Sequence, residues 1–200
     1  MISKRLLLTL LCGALSPTLA VAQTPDPAVA SIETLDNGIL EAMKSAKSVN
    51  TDGRFRKLFP VVERTFDLPT MTRFAVGGAW SSYSDADQAA LIKAFGRLSA
   101  ASLAKNFDSY GGEQFKINPE VQTRGVDKIV RTQIVPVSGA PTDLNYRMRQ
   151  SGGTWKVIDV YYGSISQLTA QRSDFASTAV AGGASNLVQK ITARSDKLLK

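Results

Sequence analysis

The sequence predicts an α+β domain in which a curved antiparallel sheet of about four to five strands packs against N- and C-terminal helices. Apolar residues recur every three or four positions over residues 28–108 and again after Gly163. Between Glu113 and Tyr162 they alternate with polar residues instead. Helices that precede and follow a block of closely linked strands pack on one face of an antiparallel sheet.

The first 22 residues have the pattern of a cleaved secretory signal. Lys4 and Arg5 precede an apolar run over residues 6–15, and Ala20-Val21-Ala22 resembles a cleavage site. A membrane anchor is the alternative, but a spanning helix needs about 20 apolar residues and a proline interrupts this run. We expect cleavage after Ala22 and a single mature domain over residues 23–200.

Composition excludes several kinds of chemistry. The one cysteine, Cys12, lies inside the predicted signal, so the mature chain is expected to hold no thiol and no disulfide. The chain has no histidine, which rules out a Ser-His-Asp apparatus and histidine-based zinc sites. No cofactor or metal is expected.

The charge balance is mildly basic. Without Lys4 and Arg5 the 24 basic residues become 22, against 17 acidic residues, so the mature net charge is +5. No basic run is dense enough to predict a nucleic-acid partner. Anionic lipid headgroups or an acidic protein surface fit this charge, and so does an ordinary solvated surface.

Four helices are expected before the sheet. The first spans residues 28–47, and the second spans residues 54–66, where Pro60 should bend or restart it. Asp67-Leu68-Pro69-Thr70 is a helix-start signal for a short helix that ends at two glycines, with Trp80 in the connection that follows. Ser84 and Asp87 form a capping box for a long helix over residues 85–108.

The strands and the closing helices follow. Strands are predicted over residues 113–118, 127–136, 143–150 and 154–162. Gly152-Gly153 predicts a two-residue hairpin, because a type I′ turn needs positive φ at both positions. After Gly163 one helix runs to Gly182-Gly183, and a last helix covers residues 184–199.

Asp159 is a candidate catalytic residue near the end of the last predicted strand. If Trp155 and Val157 point inward, period-two alternation turns Asp159 inward as well, where an apolar setting would raise its pKa. It could then act as a base beside Tyr161 or Tyr162. The alternative is an anchor at the strand end, bonded to backbone N–H groups or to a nearby arginine.

A set of five basic residues is a further candidate for function. Arg147 and Arg149 lie two residues apart, on the face opposite Tyr146 and Met148. They could meet a phosphate or an acidic partner, or they could be ordinary solvated residues of the outer face. Three further cations belong to this set: Arg124, Lys128 and Arg131.

Three segments together resemble the MlaC/toluene-tolerance family of periplasmic lipid-binding proteins. They are "FDLPTMTRFAVGGAW", "SDADQAALIKAFGRLSAASLAKNFDSYGGEQFKI" and "GGTWKVIDVYYGSISQLTAQRSDF". The recurrent elements are Phe66-Asp67-Leu68, Gly77 with Trp80, Gln88, Tyr110-Gly111-Gly112, Trp155-x-Val157-x-Asp159-Val160, Gly163-x-x-Ser166 and Arg172-x-x-Phe175. The forms "NFDSYGGEQF", "WKVIDVYYGSIS" and "AGGASNLVQKI" are similar to the hopanoid-associated HpnM branch.

The resemblance implies a non-enzymatic carrier in the periplasm that shields a phospholipid or hopanoid-type lipid in an apolar pocket between the sheet and the helices. It also implies an inner-membrane ABC lipid transporter and an outer-membrane lipoprotein complex as partners. The apolar positions implied as lipid contacts are Phe66, Met71, Phe74, Trp80, Phe95, Leu98, Ile134, Leu144, Tyr146, Met148, Trp155, Val157, Val160, Ile165 and Phe175. Two alternatives stay open: an enzyme that uses Asp159 and a tyrosine, and a partner-binding subunit with a solid core.

Overall fold

Six α-helices, a 3₁₀ helix and seven β-strands form residues 24–200, which are the residues that this computed structural model describes. The predicted signal, residues 1–22 with Cys12, lies outside the described residues. The helices are α1 Pro27–Lys44, α2 Thr51–Thr65, α3 Leu68–Val76, the 3₁₀ helix Gly77–Ser82, α4 Asp85–Asn106, α5 Gln167–Ala181 and α6 Gly183–Leu198. The strands are β1 Gln114–Ile117, β2 Gln122–Arg124, β3 Asp127–Val130, β4 Thr132–Val135, β5 Thr142–Ser151, β6 Thr154–Tyr162 and β7 Ile165–Ser166.

Side-chain caps fix where the first helices begin. The carboxylate of Asp67 accepts a hydrogen bond from the Thr70 amide at 3.1 Å, so α3 begins where the sequence predicts. Ser84 Oγ accepts from the Asp87 amide at 3.2 Å and begins α4. Helix α2 begins three residues earlier than expected, because the side chain of Asn50 caps it.

Helix α2 continues through Pro60, so the restart that the sequence suggested does not occur. Pro60 lies on the exposed side of the helix, where its ring removes one backbone hydrogen bond. The opposite side buries Leu58 and Val62 completely. Packing of that buried side outweighs the local cost of the proline.

The sheet is an antiparallel meander around its central strand, β5. One edge of β5 pairs with β6, and the other edge pairs with β3 and β4 in succession. The single strand expected over residues 127–136 is therefore interrupted at Arg131. β2 pairs with β3 and β1 pairs with β4, while β7 adds a two-residue edge to β6. Neither β2 nor β7 was expected, because both are too short to show an alternating pattern.

The hairpin between β5 and β6 has the predicted turn. Gly152 and Gly153 have φ of 58° and 80°, and Ser151 pairs with Thr154 across them. The predicted alternation of β5 is also confirmed, since Leu144, Tyr146 and Met148 are buried in turn.

A β-bulge in β6 changes which side chains face the core. Met148 pairs with Val157, but the next residue along β5, Arg147, pairs with Asp159, so Ile158 is the extra residue. Asp159 therefore shares the face of Arg147 rather than that of Val157. The expected inward direction of Asp159 was wrong, because strict alternation does not hold across a bulge.

The helices cover the face of the sheet that carries Tyr146, Met148 and Val157. Ser31 of α1 donates to the Trp155 carbonyl at 2.6 Å, and the Asp67 amide donates to the Val157 carbonyl at 2.9 Å. Val157 is fully buried on this face of the sheet, and Phe95 and Leu98 are fully buried among the helices, where α4 packs on α2 and α6. The apolar pocket expected between the sheet and the helices stays a prediction.

Candidate functional site

The main cleft lies among the helices, where the 3₁₀ helix faces the junction of α5 and α6. Its volume is about 790 Å³. Alanine and valine side chains and glycine backbone form most of its walls. The lining residues are Val76, Gly77, Gly78, Ala79, Ser82, Tyr83, Asp87, Arg172, Ala176, Ala179, Val180, Gly182, Gly183, Ala184 and Ser185.

Backbone turns at two glycines shape this cleft. Gly77 ends α3 with φ of 72°, and Gly183 begins α6 with φ of 68°. Both values lie in the region that favours glycine. The two turns direct the 3₁₀ helix and α6 away from the helices before them, which leaves open space between the two connections.

The Tyr83 side chain connects the C-terminal end of the 3₁₀ helix to α5. Its hydroxyl donates to the Ala179 carbonyl at 2.6 Å. Partial burial and the nearby carboxylate of Asp87 raise the pKa of the Tyr83 phenol. The phenol therefore stays protonated and keeps donating at physiological pH, which holds α5 beside the 3₁₀ helix.

The fifteen positions predicted to contact lipid do not line this cleft. Nine are buried in the core: Phe66, Met71, Phe95, Leu98, Leu144, Tyr146, Met148, Val157 and Phe175. Four are half-buried around it: Trp80, Ile134, Trp155 and Val160. Phe74 and Ile165 are exposed. Apolar patterns in the sequence mark large side chains, so they do not reveal cleft walls built from alanine and glycine.

One polar pair lies inside the apolar layer. The Tyr146 hydroxyl donates to Asp36 Oδ1 at 3.2 Å, and both side chains are buried. Asp36 Oδ2 has no hydrogen-bond partner among the described residues. Burial raises the pKa of Asp36 to about 7, and the hydrogen bond from Tyr146 opposes part of this rise.

Asp159 anchors the end of β6 to the start of α5. Its Oδ1 accepts from the backbone amides of Val160 and Leu168 at 2.8 and 3.2 Å, and its Oδ2 accepts from Ser166 Oγ at 2.7 Å. Asp159 does not line the cleft. The geometry supports the anchoring role that the sequence left open as the alternative to a base.

The five residues of the predicted basic set lie in three different places. Arg147 and Arg149 hold a buried carboxylate between them on the outer face of the sheet: Nε of each donates to Asp127, at 2.7 and 2.6 Å. These contacts lower the pKa of Asp127 despite its burial. On the inner face, Lys128 pairs with Asp26 at 2.6 Å and lies 4.3 Å from the Trp155 ring centroid. Arg124 and Arg131 are exposed.

Within residues 24–200, no cluster of three or more acidic, cysteine or histidine residues could hold a metal ion. Over the same residues, no helix combines the length and the apolar character needed to cross a membrane.

These features define an α+β protein whose helices cover one face of an antiparallel sheet and enclose an apolar interior beside an open cleft. The family model described as "MlaC protein" matches residues 33–193 of the 200. The chain therefore belongs to the MlaC family, in agreement with the motifs of its sequence. Among curated proteins, none matches it.

The fold is also similar to that of a solved bacterial protein. The phospholipid-binding protein from Ralstonia solanacearum, solved in complex with a phospholipid, superposes with a TM-score of 0.71 at 23% sequence identity. The match covers 86% of this chain and 99% of that one. This likeness confirms the predicted fold class.

Proposed function

We propose that this protein is a periplasmic lipid-binding carrier. It shields the apolar part of a phospholipid or hopanoid-type lipid from water, and it belongs to the hopanoid-associated branch of its family. It shuttles the lipid between an inner-membrane ABC lipid transporter and an outer-membrane lipoprotein complex. Family membership, the signal-like pattern of residues 1–22 and the fold shared with a phospholipid-binding protein support the proposal.

The observation that carries the proposal is the apolar cleft. A volume of about 790 Å³ lies within the range of roughly 300–1,000 Å³ that small-molecule sites occupy. Burial of each methylene contributes about 0.8 kcal/mol, so about ten methylenes would contribute about 8 kcal/mol. Binding of this kind needs no cofactor, metal or nucleophile.

Helix α5 links the cleft to the buried interior. Ala179 lines the cleft, and Phe175 lies one turn earlier on the same buried side of α5. Phe175 packs edge-to-face on Phe95 with ring centroids 6.5 Å apart. We propose that displacement of α5 from the 3₁₀ helix joins the cleft to the interior. The fifteen predicted apolar positions would then meet the acyl chains.

The test is to fill the cleft without disturbing the core. Ala176 is exposed and lines the cleft, so Ala176→Trp should occupy space that the ligand needs. Ser177 is the next residue on α5, exposed and outside the cleft lining, so Ser177→Trp is the matched control. Lipid is measured by native mass spectrometry and by extraction from protein purified from its membrane-containing host.

We expect stoichiometric lipid in the wild type and in Ser177→Trp, and at least tenfold less in Ala176→Trp. A wild-type protein that is free of lipid and refuses added lipid would exclude a carrier and favour the partner-binding subunit with a solid core. Equal loading of both tryptophan variants would place the lipid outside this cleft.

A further inference from the structure

The cleft has one unpaired cation at its edge. Among the described residues that line it, Arg172 of α5 is the one basic residue and Asp87 the one acidic residue. None of the ion pairs within residues 24–200 includes Arg172. An arginine beside apolar walls thus keeps its full positive charge.

The Arg172 guanidinium is held in place by neutral groups. It lies 5.1 Å from the centroid of the Phe74 ring, and its Nη1 donates to the Phe74 carbonyl at 3.3 Å. Gly77 permits this position, because a Cβ there would come within 3.3 Å of Arg172 Cζ. The exposed ring of Phe74 is explained by this stacking, which orders the guanidinium without neutralising it.

Most of the hydrogen-bonding capacity of Arg172 is unused. A guanidinium carries five N–H donors, and the described residues supply an acceptor for one of them. Planar pairs of N–H donors match the oxygens of a phosphate group. An ordered guanidinium with open donors, at the mouth of a cleft suited to acyl chains, fits a ligand with a phosphate at the end of an apolar body.

We propose that Arg172 binds the phosphate of the lipid whose acyl chains enter the cleft, and that it selects phospholipids over uncharged lipids. This inference rests on the proposed function and adds the headgroup chemistry to it. The phosphate stays at the surface, where Arg172 is exposed, and only the apolar part of the lipid leaves water.

The experiment uses two lipids with identical acyl chains, dioleoyl phosphatidylglycerol and dioleoylglycerol, which differ in the phosphate-bearing headgroup. Delipidated protein is incubated with an equimolar mixture, and native mass spectrometry gives the ratio of the two complexes. The variants are Arg172→Gln, Arg172→Lys and the control Arg194→Gln. Arg194 is partly exposed on α6, pairs with Asp174 and does not line the cleft.

We expect the wild type and Arg194→Gln to prefer the phospholipid. Because hydrogen bonds to charged groups are strong, Arg172→Gln should lose about tenfold of this preference. The preference of Arg172→Lys should lie between those of the wild type and Arg172→Gln, since lysine keeps the charge but lacks the planar donor pair. Total lipid loading should remain in all four proteins.

Three outcomes would overturn the assignment. In the first, Arg172→Gln binds lipid normally and keeps the wild-type preference for the phospholipid. Arg172 then does not bind the phosphate, and the proposed carrier function is unaffected. In the second, Arg172→Gln loses both lipids equally and unfolds earlier, which makes the residue structural. In the third, inorganic phosphate binds the delipidated wild type but not Arg172→Gln, while the wild type shows no preference between the two lipids, which assigns the site to free phosphate. A wild type that takes neither lipid would instead refute the proposed function itself.

Discussion

Asp36 is an ionisable side chain on the buried stripe of α1, close to Leu35 and Ile39. Tyr146 supplies its one hydrogen bond among the described residues, and Glu33 adds a nearby negative charge that also raises the pKa of Asp36. A carboxyl group in this position is best accommodated in its protonated form. The packing of α1 on the sheet therefore depends on pH.

The expected pH dependence has a definite sign. The pKa of Asp36 is raised from 3.8 to about 7 in the folded protein. Between these values the folded protein keeps a proton that the unfolded chain releases. The free energy of unfolding should therefore fall as pH rises, by about 1.4 kcal/mol per pH unit at most, and level off above pH 7.

Asp36→Asn removes this titration while keeping an acceptor for Tyr146. Urea unfolding of both proteins at pH 5, 6, 7 and 8 should show the variant gaining stability relative to the wild type up to about pH 7. The other titrating groups cancel in this difference. A difference that stays constant across the series would mean that Asp36 is already ionised in the fold.

At the scale of single elements, the β5–β6 hairpin allows the effect of backbone conformation on stability to be measured apart from the effect of packing. Gly152 has φ of 58°, and a Cβ built there meets no atom within 4 Å. Asparagine adopts this conformation readily in type I′ turns, whereas a β-branched residue does not. Gly152→Asn should be nearly neutral, and Gly152→Val should cost about 1–2 kcal/mol.

Denaturant midpoints of the two Gly152 variants check this prediction. Equal midpoints would show that the φ angle of the turn does not limit stability. Both variants should keep their lipid, because this turn does not line the cleft.

The order of helices and strands could be predicted because each pattern is local. Caps at Asp67 and Ser84, the glycine pair at residues 152–153 and the alternation of β5 each lie within a few residues of sequence. The bulge at Ile158 could not be predicted, because its cause is the register with β5 and not the sequence of β6. The same holds for the break at Arg131, where one edge of β5 pairs with two strands.

The site was less predictable than the fold. Nine of the fifteen predicted lipid contacts are buried, since large side chains at helical or strand spacing mark a core, and their contact with lipid stays a prediction. The cleft was missed because its walls are largely alanines and glycines near Gly77 and Gly183, where two segments that are distant in sequence meet. Arg172 was noted as part of a family motif, but its unpaired charge depends on which neighbours the fold provides.

For the whole molecule, the buried core and the proposed carrier function together imply that ligand binding and stability are linked. A lipid that binds the folded state and not the unfolded chain stabilises the fold by mass action, by about 2.7 kcal/mol at a free concentration of 100 times Kd. For a domain of this size each kcal/mol raises Tm by roughly 2–4 °C. Delipidated protein should therefore unfold about 5–10 °C below reloaded protein.

Calorimetry of delipidated and reloaded protein measures this difference directly. Ala176→Trp provides the control, because its cleft is filled: its Tm should be close to that of the delipidated wild type and should not rise when lipid is added. Since Ala176 is exposed, its replacement should leave the core intact. A rise of the same size in Ala176→Trp would show that the stabilising lipid binds elsewhere. No rise in the wild type, despite measured loading, would mean that the unfolded chain binds the lipid as well as the folded protein does.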